Sequence, residues 1–257
     1  MALRIFSHTC SNTEIVCALG CGGQLVGVDA DSDYPPDIVG KLPQPGRDLD
    51  LDTQAVLALK PDLVLTSLTV PGHERIVDEF KALGLQTITL DPQSLEDVFD
   101  SIATIADALQ VSKRGAQLIA RMRAQMPAVE ATAAPRPRIL VEWWPKPVIA
   151  PARHSWVTDM IELAGGRNPC AGIDAKSFSL PDDADNAAYV ADAVVMSWCG
   201  VQVDKYRPEI VRRREHWQHW PALRDDRIVA ITEAWLGRPG PRLVEGYAAL
   251  RRLIENR

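Results

Sequence analysis

The feature that most constrains the fold of this chain is the alternation of short apolar runs with helical stretches. The run Leu63-Val64-Leu65 is followed by an amphipathic stretch at residues 74–83 and by a further apolar run at residues 85–90. A continuous apolar run is typical of a strand buried on both faces, and the order strand, helix, strand predicts a parallel sheet. Earlier runs at residues 3–7 and 25–29 predict two more strands.

The alternation stops in the middle of the chain and then resumes. Residues 94 to about 126 predict one long helix, with Val111-Ser112 as a point where it can be interrupted. Strands are predicted again at residues 138–143, 193–197 and 227–231. The predicted fold class is therefore α/β, with two Rossmann-like lobes that contain parallel sheets and are bridged by one long α-helix.

The domain boundaries follow from this pattern and from a small, proline-bearing segment at residues 131–137. We expect an N-terminal α/β lobe at residues 1–92, a bridging helix at residues 93–130 and a C-terminal α/β lobe at residues 131–257.

Charge and apolar content exclude two classes of partner. The net charge is −6, whereas a nucleic-acid-binding protein needs a basic face to neutralise phosphates. No apolar run approaches the roughly 20 residues of a membrane span. We therefore expect neither nucleic-acid binding nor membrane insertion.

The five cysteines form no regular framework, so a disulfide scaffold is not predicted. Cys17 and Cys21 are four residues apart, but no second close pair completes a zinc site. We expect reduced thiols and no metal site.

The tryptophans indicate where a ligand would bind. All seven lie in the second half of the chain, and Trp144, Trp198 and Trp235 fall at or just after predicted strand ends. In open α/β sheets the ligand crevice lies at the carboxyl ends of the strands. We expect Trp198 and Trp235 to face a ligand, and Trp217 and Trp220 to be core residues.

Several other residues follow predicted strands. Arg238 lies in the stiff segment Gly-Arg-Pro-Gly-Pro-Arg at residues 237–242, where it either presents its guanidinium to a ligand or is a solvated side chain before a helix. His8 and His154 can point into a cleft. Cys199 is a candidate thiol beside Trp198, but no orienting base can be named. Nucleophile-elbow, phosphate-loop and His-Glu-x-x-His motifs are absent, so no catalytic residue is predicted.

Four segments together resemble a known family. They are Asn-Thr-Glu-Ile-Val-Cys-Ala-Leu-Gly at residues 12–20, Ser-Asp-Tyr-Pro-Pro at 32–36, Leu-Lys-Pro-Asp-Leu-Val at 59–64 and Trp-Leu-Gly-Arg-Pro-Gly-Pro-Arg-Leu at 235–243. In this order and spacing the chain is similar to ABC-transporter periplasmic substrate-binding proteins of the helix-linked class, closest to cobalamin (vitamin B12)-binding proteins. The resemblance implies a non-catalytic protein that binds a corrinoid between its lobes and requires no cofactor.

The resemblance also implies roles for individual residues. Tyr34, Trp235 and Arg238 match positions at which cobalamin binders contact their ligand. Glu74 matches an acidic residue that docks on a permease arginine, and Glu209 is the candidate for its second-lobe partner, with Glu215 as the alternative.

The chain departs from that pattern at two flat walls of the ligand site. Ser67 stands where the well-known cobalamin binder has a tryptophan, and Pro147-Val148 replaces a proline–aromatic pair. Trp144, Trp156 and Trp198 are the candidates to replace the missing walls. The complete predicted ligand-binding set is Tyr34, Ser67, Trp144, His154, Trp156, Trp198, Cys199, Trp235 and Arg238.

Two alternatives stay open. In the first alternative, the ligand is haem, a ferric siderophore or another metal chelate, with His8, His154 or Tyr34 as metal ligand or anchor. In the second, the chain is a cytosolic corrinoid-handling protein or a thiol enzyme that uses Cys199, with Cys10 as a second candidate thiol.

We expect a monomer, with an ABC permease as partner only in the transport case. The expected compartment is periplasmic if a signal peptide was removed ahead of Met1 and cytoplasmic if Met1 is the native start.

Overall fold

The computed structural model describes residues 3–130, 135–181 and 184–256. The chain divides into two compact units. Unit 1 comprises Met1–Pro92 and Asp97–Arg121, and unit 2 comprises Gln93–Glu96 and Met122–Arg257.

Unit 1 is built on a four-stranded parallel sheet whose strands lie in the order Leu25–Val28, Ile5–Ser7, Leu63–Ser67, Thr87–Leu90. Its elements before residue 92 are β1 (Ile5–Ser7), α1 (Cys10–Ala18), β2 (Leu25–Val28), α2 (Pro36–Val39), β3 (Gly46–Arg47), β4 (Asp50–Leu51), α3 (Thr53–Ala58), β5 (Leu63–Ser67), α4 (His73–Ala82) and β6 (Thr87–Leu90). The predicted parallel strands are confirmed, and β5 is buried along its whole length. The β3–β4 pair is a short antiparallel hairpin that the sequence did not predict.

The predicted single helix over residues 94–126 is wrong. The segment forms two helices, α5 (Leu95–Ala108) and α6 (Ser112–Gln125). Gln110 adopts a left-handed φ of 58°, its N–H donates to the Asp107 carbonyl, and the N–H of Val111 donates to the Ala106 carbonyl. This is the hydrogen-bond pattern that ends a helix, here with glutamine where glycine is usual. The break carries no glycine or proline, but it falls beside Val111-Ser112, the point at which the sequence indicated that the helix can be interrupted.

Unit 2 contains a parallel sheet in the order β12-β11-β7 and an antiparallel sheet in the order β10-β9-β8. Its elements are β7 (Ile139–Glu142), β8 (Trp144–Pro145), β9 (Val148–Pro151), α7 (Trp156–Leu163), β10 (Ser177–Ser179), β11 (Ala193–Met196), α8 (Pro208–Arg212), α9 (Pro221–Arg224), β12 (Ile228–Ala230), α10 (Glu233–Leu236) and α11 (Leu243–Glu255). The three parallel strands match the predicted ones. The antiparallel sheet was not predicted, since its strands are two to four residues long and β8 and β9 contain proline.

Tryptophan rings make up much of the core of unit 2. Trp217 and Trp220 are buried and stack with ring centroids 4.1 Å apart and an angle of 10° between the planes. Their predicted place in the core is confirmed.

A pair of buried histidines holds the β3–β4 hairpin in unit 1. The Nε2–H of His8, the residue after β1, donates to the Asp48 carbonyl at 2.8 Å. His73 begins α4, and its Nε2 lies 3.4 Å from Oδ2 of Asp48. The two rings meet edge to face, with centroids 4.8 Å apart, and both are fully buried. Burial lowers the pKa of His8 from 6.5 to about 4, so the ring is neutral at pH 7.

The first prediction concerns Gly246, where α11 passes α10. A Cβ at this position would lie 2.1 Å from the Trp235 carbonyl oxygen, so Gly246→Ala must push backbone apart. The helix-propensity gain of alanine, roughly 0.5–1 kcal/mol, is smaller than the roughly 1–3 kcal/mol cost of overpacking. We expect a lower melting temperature, measured by calorimetry. Gly23→Ala is the matched control, because nothing lies within 4 Å of its Cβ position. Equal melting temperatures for the two variants would contradict this packing.

The second prediction is a pH dependence of stability due to His8. The unfolded chain binds a proton at this side chain below about pH 6.5, whereas the folded chain does so only below about pH 4. Acidification between these values therefore favours the unfolded state, and His8 should lower the free energy of unfolding by up to about 3 kcal/mol across the window. His8→Gln removes this contribution and should flatten the profile, measured by urea unfolding at pH 7 and pH 4.5. His219→Gln, at an exposed position, should keep the wild-type slope. Parallel profiles for the His8→Gln variant and the wild type would refute the assignment.

Candidate ligand-binding site

The carboxyl ends of the parallel strands in unit 2 lie at one edge of the sheet. Met196 at the end of β11 is in register with Glu142 of β7 on one side and with Ala230 of β12 on the other. The segments that follow these three strands contain most of the predicted ligand-binding residues. This is the edge at which open α/β sheets bind ligands.

A buried ion pair between Glu142 and Arg214 lies at this edge of the unit 2 sheet. Glu142 is fully buried, and its carboxylate accepts hydrogen bonds from both terminal nitrogens of Arg214. The indole N–H of Trp198 donates to the same carboxylate at 3.3 Å. Arg214 also donates to the Pro145 carbonyl at 3.1 Å, and its guanidinium lies 4.2 Å from the centre of the Trp217 ring. Burial raises the pKa of Glu142, and the Arg214 charge acts against this rise.

Trp235 and Arg238 lie in and just after α10. Trp235 is half-buried, and the Arg238 side chain is only 12% exposed. The Nε of Arg238 lies 3.3 Å from a carboxylate oxygen of Glu233, so this arginine belongs to an ion pair rather than being a solvated side chain. The indole N–H of Trp156 donates to the Leu236 carbonyl at 2.7 Å and so anchors the segment.

Three residues of the predicted set are enclosed. Trp198 is 3% exposed and packs with Tyr206 and other core residues of unit 2, and Trp156 is 5% exposed. Trp198 is thus a core residue rather than an accessible wall, because its ring fills space beneath the strand ends and its N–H satisfies Glu142. Ser67, the last residue of β5 in unit 1, is also buried and bonds with Thr69.

Two aromatic residues of the set are accessible. Tyr34 in unit 1 is 44% exposed, and Trp144 in unit 2 is 42% exposed. The indole N–H of Trp144 donates to the Lys146 carbonyl at 3.1 Å, which holds the ring beside the turn of the β8–β9 hairpin. With Trp235, they provide the accessible aromatic surface of the predicted set.

The surroundings of His154 and Cys199 do not suit metal binding by the histidine or nucleophilic attack by the thiol. His154 is hydrogen-bonded to the exposed Asp174 at 2.6 Å. Cys199 is exposed as a residue, but protein atoms around its sulfur desolvate it and raise the pKa of the thiol to about 12. A nucleophilic cysteine needs a lowered pKa, so the site does not activate this thiol. Among the described residues, no cluster of three or more His, Cys, Asp or Glu side chains suited to a metal ion occurs.

The two predicted docking glutamates lie on exposed first turns of helices. Glu74 is in α4 and accepts the Gly72 N–H at 2.9 Å. Glu209 is in α8 and pairs with Arg212 at 3.3 Å. Glu215, the alternative, is also exposed. Across the described ranges of the chain, every helix is too short or too polar to span a bilayer.

One feature of the site was missed from the sequence. A cavity of about 750 Å³, here called the hairpin pocket, is lined by residues 145–148, 180–181, 210 and 213–217 of unit 2. Arg214 lines this pocket and is held by Glu142, which lies 72 residues away in the sequence. The sequence signal that was available is a carboxylate that closes the otherwise apolar strand Ile139–Glu142.

Comparison with known proteins gives consistent matches over nearly the whole chain. A family model described as "Periplasmic binding protein" matches residues 5–234. An uncharacterised ABC transporter substrate-binding lipoprotein, YvrC of Bacillus subtilis, is 27% identical over 98% of this chain and 79% of its own length. A vitamin B12-binding protein of Photorhabdus laumondii is 25% identical over 94% of this chain and 84% of its own length.

A solved structure gives the same result. The periplasmic heme-binding protein RhuT from Roseiflexus sp. RS-1 superposes with a TM-score of 0.81 and 26% identity, covering 100% of this chain and 99% of that one. The fold is thus that of the helix-linked periplasmic binding proteins. From the extent of the family match, together with these relatives, the chain belongs to the periplasmic binding protein family, as a substrate-binding protein of the ABC-transporter type.

Proposed function

We propose that this protein binds a corrinoid, cobalamin or a close relative, and presents it to an ABC permease without catalysing a reaction. The observation that carries the proposal is the arrangement around α10. A half-buried tryptophan, Trp235, adjoins the Arg238–Glu233 ion pair, which is fixed and largely buried.

This arrangement suits the chemistry of a corrinoid. The macrocycle is flat and apolar, and its rim carries amide side chains, each with one carbonyl acceptor and one NH₂ donor. Arg238 offers donors and Glu233 offers acceptors, 3.3 Å apart, so the pair can satisfy both halves of one amide. Trp235, Tyr34 and Trp144 are the side chains proposed to contact the ring. Large apolar surface with a few fixed polar groups is the usual composition of a small-molecule site.

Haem is the second candidate, and the exposure of Tyr34 supports it. Of the three residues considered as anchors for a metal chelate, His8 is fully buried with its Nε2–H bonded to Asp48, and His154 is bonded to Asp174. Tyr34 is 44% exposed, and a phenolate is a ligand for ferric iron. The RhuT relative is described as heme-binding. In this case Tyr34→Phe should abolish the haem absorption spectrum of a tyrosinate complex.

The relatives also support a location outside the cytoplasm, since they include a lipoprotein and periplasmic proteins. Glu74 and Glu209 are proposed to dock on permease arginines. Both carboxylates are exposed, as such a contact requires. Binding of the ligand between two lobes and the monomeric state stay predictions from the sequence.

The third prediction tests the ligand and the residues together. The purified chain should bind cyanocobalamin with a dissociation constant well below ~100 μM, which corresponds to about −5.5 kcal/mol. Trp235→Ala and Arg238→Ala should each weaken binding about tenfold or more, because they remove a flat contact and a charge-assisted donor. The measurement is calorimetric titration with cyanocobalamin, haem and a ferric siderophore.

Two controls accompany that experiment. Arg224→Ala removes an exposed arginine of unit 2 that lies outside both the α10 region and the hairpin pocket, and it should bind like the wild type. Arg238→Ala leaves Glu233 without its partner, so the melting temperature of each variant is measured first. Binding of none of the three ligands below ~100 μM would refute the proposed function. Unchanged binding by both α10 variants would refute the site.

A further inference from the structure

The hairpin pocket lies wholly within unit 2, between the β8–β9 hairpin and the segment that runs from α8 to Trp217. Its volume of about 750 Å³ is within the range of small-molecule sites. One part of its lining is apolar and includes Pro147, Val148 and Ile210. The remainder of the lining is polar or charged. Such a mixed lining suits a ligand that has both an apolar part and a charged part.

The charges that line the hairpin pocket are unequal in sign. The cations are Lys146, Arg213 and Arg214, and the anion is Glu215, with His216 beside it. Arg214 is neutralised by the buried Glu142. Lys146 and Arg213 form no ion pair within the described part of the chain. With Arg214 neutralised, two cations and one anion line the cavity, so its lining is net positive, whereas the chain as a whole carries a net charge of −6.

The backbone that carries Lys146 and Arg213 adjoins a buried hydrogen-bond network. Arg214 is bonded to Glu142 and to the Pro145 carbonyl and lies over Trp217, which is itself stacked on Trp220. Arg213 precedes Arg214 directly, and Lys146 follows Pro145. The backbone positions of both cations are therefore set by the same buried network. A fixed backbone at both positions limits the loss of conformational entropy on binding to that of the two side chains.

We propose that the hairpin pocket binds an oxyanion of the transported ligand, with Arg213 and Lys146 as its partners and with Pro147, Val148 and Ile210 against the adjoining apolar part. A guanidinium and an ammonium form charge-assisted hydrogen bonds with carboxylate or phosphate oxygens. The inference rests on the proposed function, because it takes the oxyanion to belong to the same chelate. Cobalamin supplies a phosphodiester in its nucleotide tail, and haem supplies two propionate carboxylates.

The experiment compares each chelate with a partner that lacks the oxyanion. Cyanocobalamin is paired with dicyanocobinamide, which has no phosphodiester, and haem is paired with its dimethyl ester. Binding is measured by calorimetry for the wild type, Arg213→Gln and Lys146→Gln, with Arg224→Gln as the matched control. All three positions are exposed, so the substitutions spare the core.

We expect the wild type to bind the oxyanion-bearing member of one pair about tenfold or more tightly than the other member. Arg213→Gln should remove most of that difference by weakening only the oxyanion-bearing member, and Lys146→Gln should act in the same direction. Arg224→Gln should keep the full difference. The pair that shows the effect identifies the source as phosphodiester or carboxylate.

Two results would overturn the inference and leave the proposed function standing. One is equal affinity for both members of the pair that binds. The other is an Arg213→Gln variant that weakens both members equally, which indicates a structural role. If all four ligands bind more weakly than ~100 μM, the proposed function fails and this inference falls with it.

Discussion

The buried pair Glu142–Arg214 is the interaction on which the ligand-binding edge of unit 2 depends. A carboxylate at the end of a buried parallel strand is costly to desolvate, and a single arginine offsets that cost. The same guanidinium reaches the β8–β9 hairpin through Pro145 and lies over Trp217, while Trp198 completes the carboxylate's hydrogen bonds. Loss of one partner would leave the other charge buried and unpaired. Three segments that are distant in sequence, at residues 142–145, 198 and 214–217, are thereby held in one geometry.

At the strand ends of unit 1, two buried polar side chains, His8 and Asp29, are satisfied by hydrogen bonds from or to uncharged groups. His8 stays uncharged and donates to the Asp48 carbonyl, so no countercharge is needed. The carboxylate of Asp29, after β2, accepts hydrogen bonds from the N–H groups of Thr9 and Asp31 and from the Ser32 hydroxyl. The two sheets thus end in different electrostatic environments. In unit 2, cations line the hairpin pocket.

The sequence was sufficient for the parts of the fold that depend on local periodicity. The β5 strand and the amphipathic α4 follow from runs of apolar residues, and they were predicted within one or two residues of their bounds. It was insufficient where a single residue departs from its usual preference. Gln110 ends α5 in a conformation that favours glycine, so the sequence indicated Val111-Ser112 only as a possible interruption and not as the end of a helix. The pairing of Glu142 with Arg214 depends on tertiary contact alone.

For the candidate site, too, the sequence was sufficient for local features and insufficient for those that depend on tertiary contacts. Position after a strand singled out Trp144, Trp198 and Trp235, yet it does not tell which ring faces outward. Trp198 turns into the core because Glu142 needs its N–H, whereas Trp144 bonds to its own hairpin and stays exposed. Ser67 was expected to line the ligand site in place of a tryptophan and is buried. Exposure is decided by partners that lie far along the chain.

The division of the chain into two units gives the molecule separate optical signals. Every one of its seven tryptophans belongs to unit 2, and unit 1 has none. Indole emission therefore reports on unit 2 alone, and it includes the stacked pair Trp217 and Trp220 in the core of that unit. Unfolding of unit 1 would have to be followed by other probes, such as backbone ellipticity. A comparison of the two traces would show whether the units melt together or one after the other.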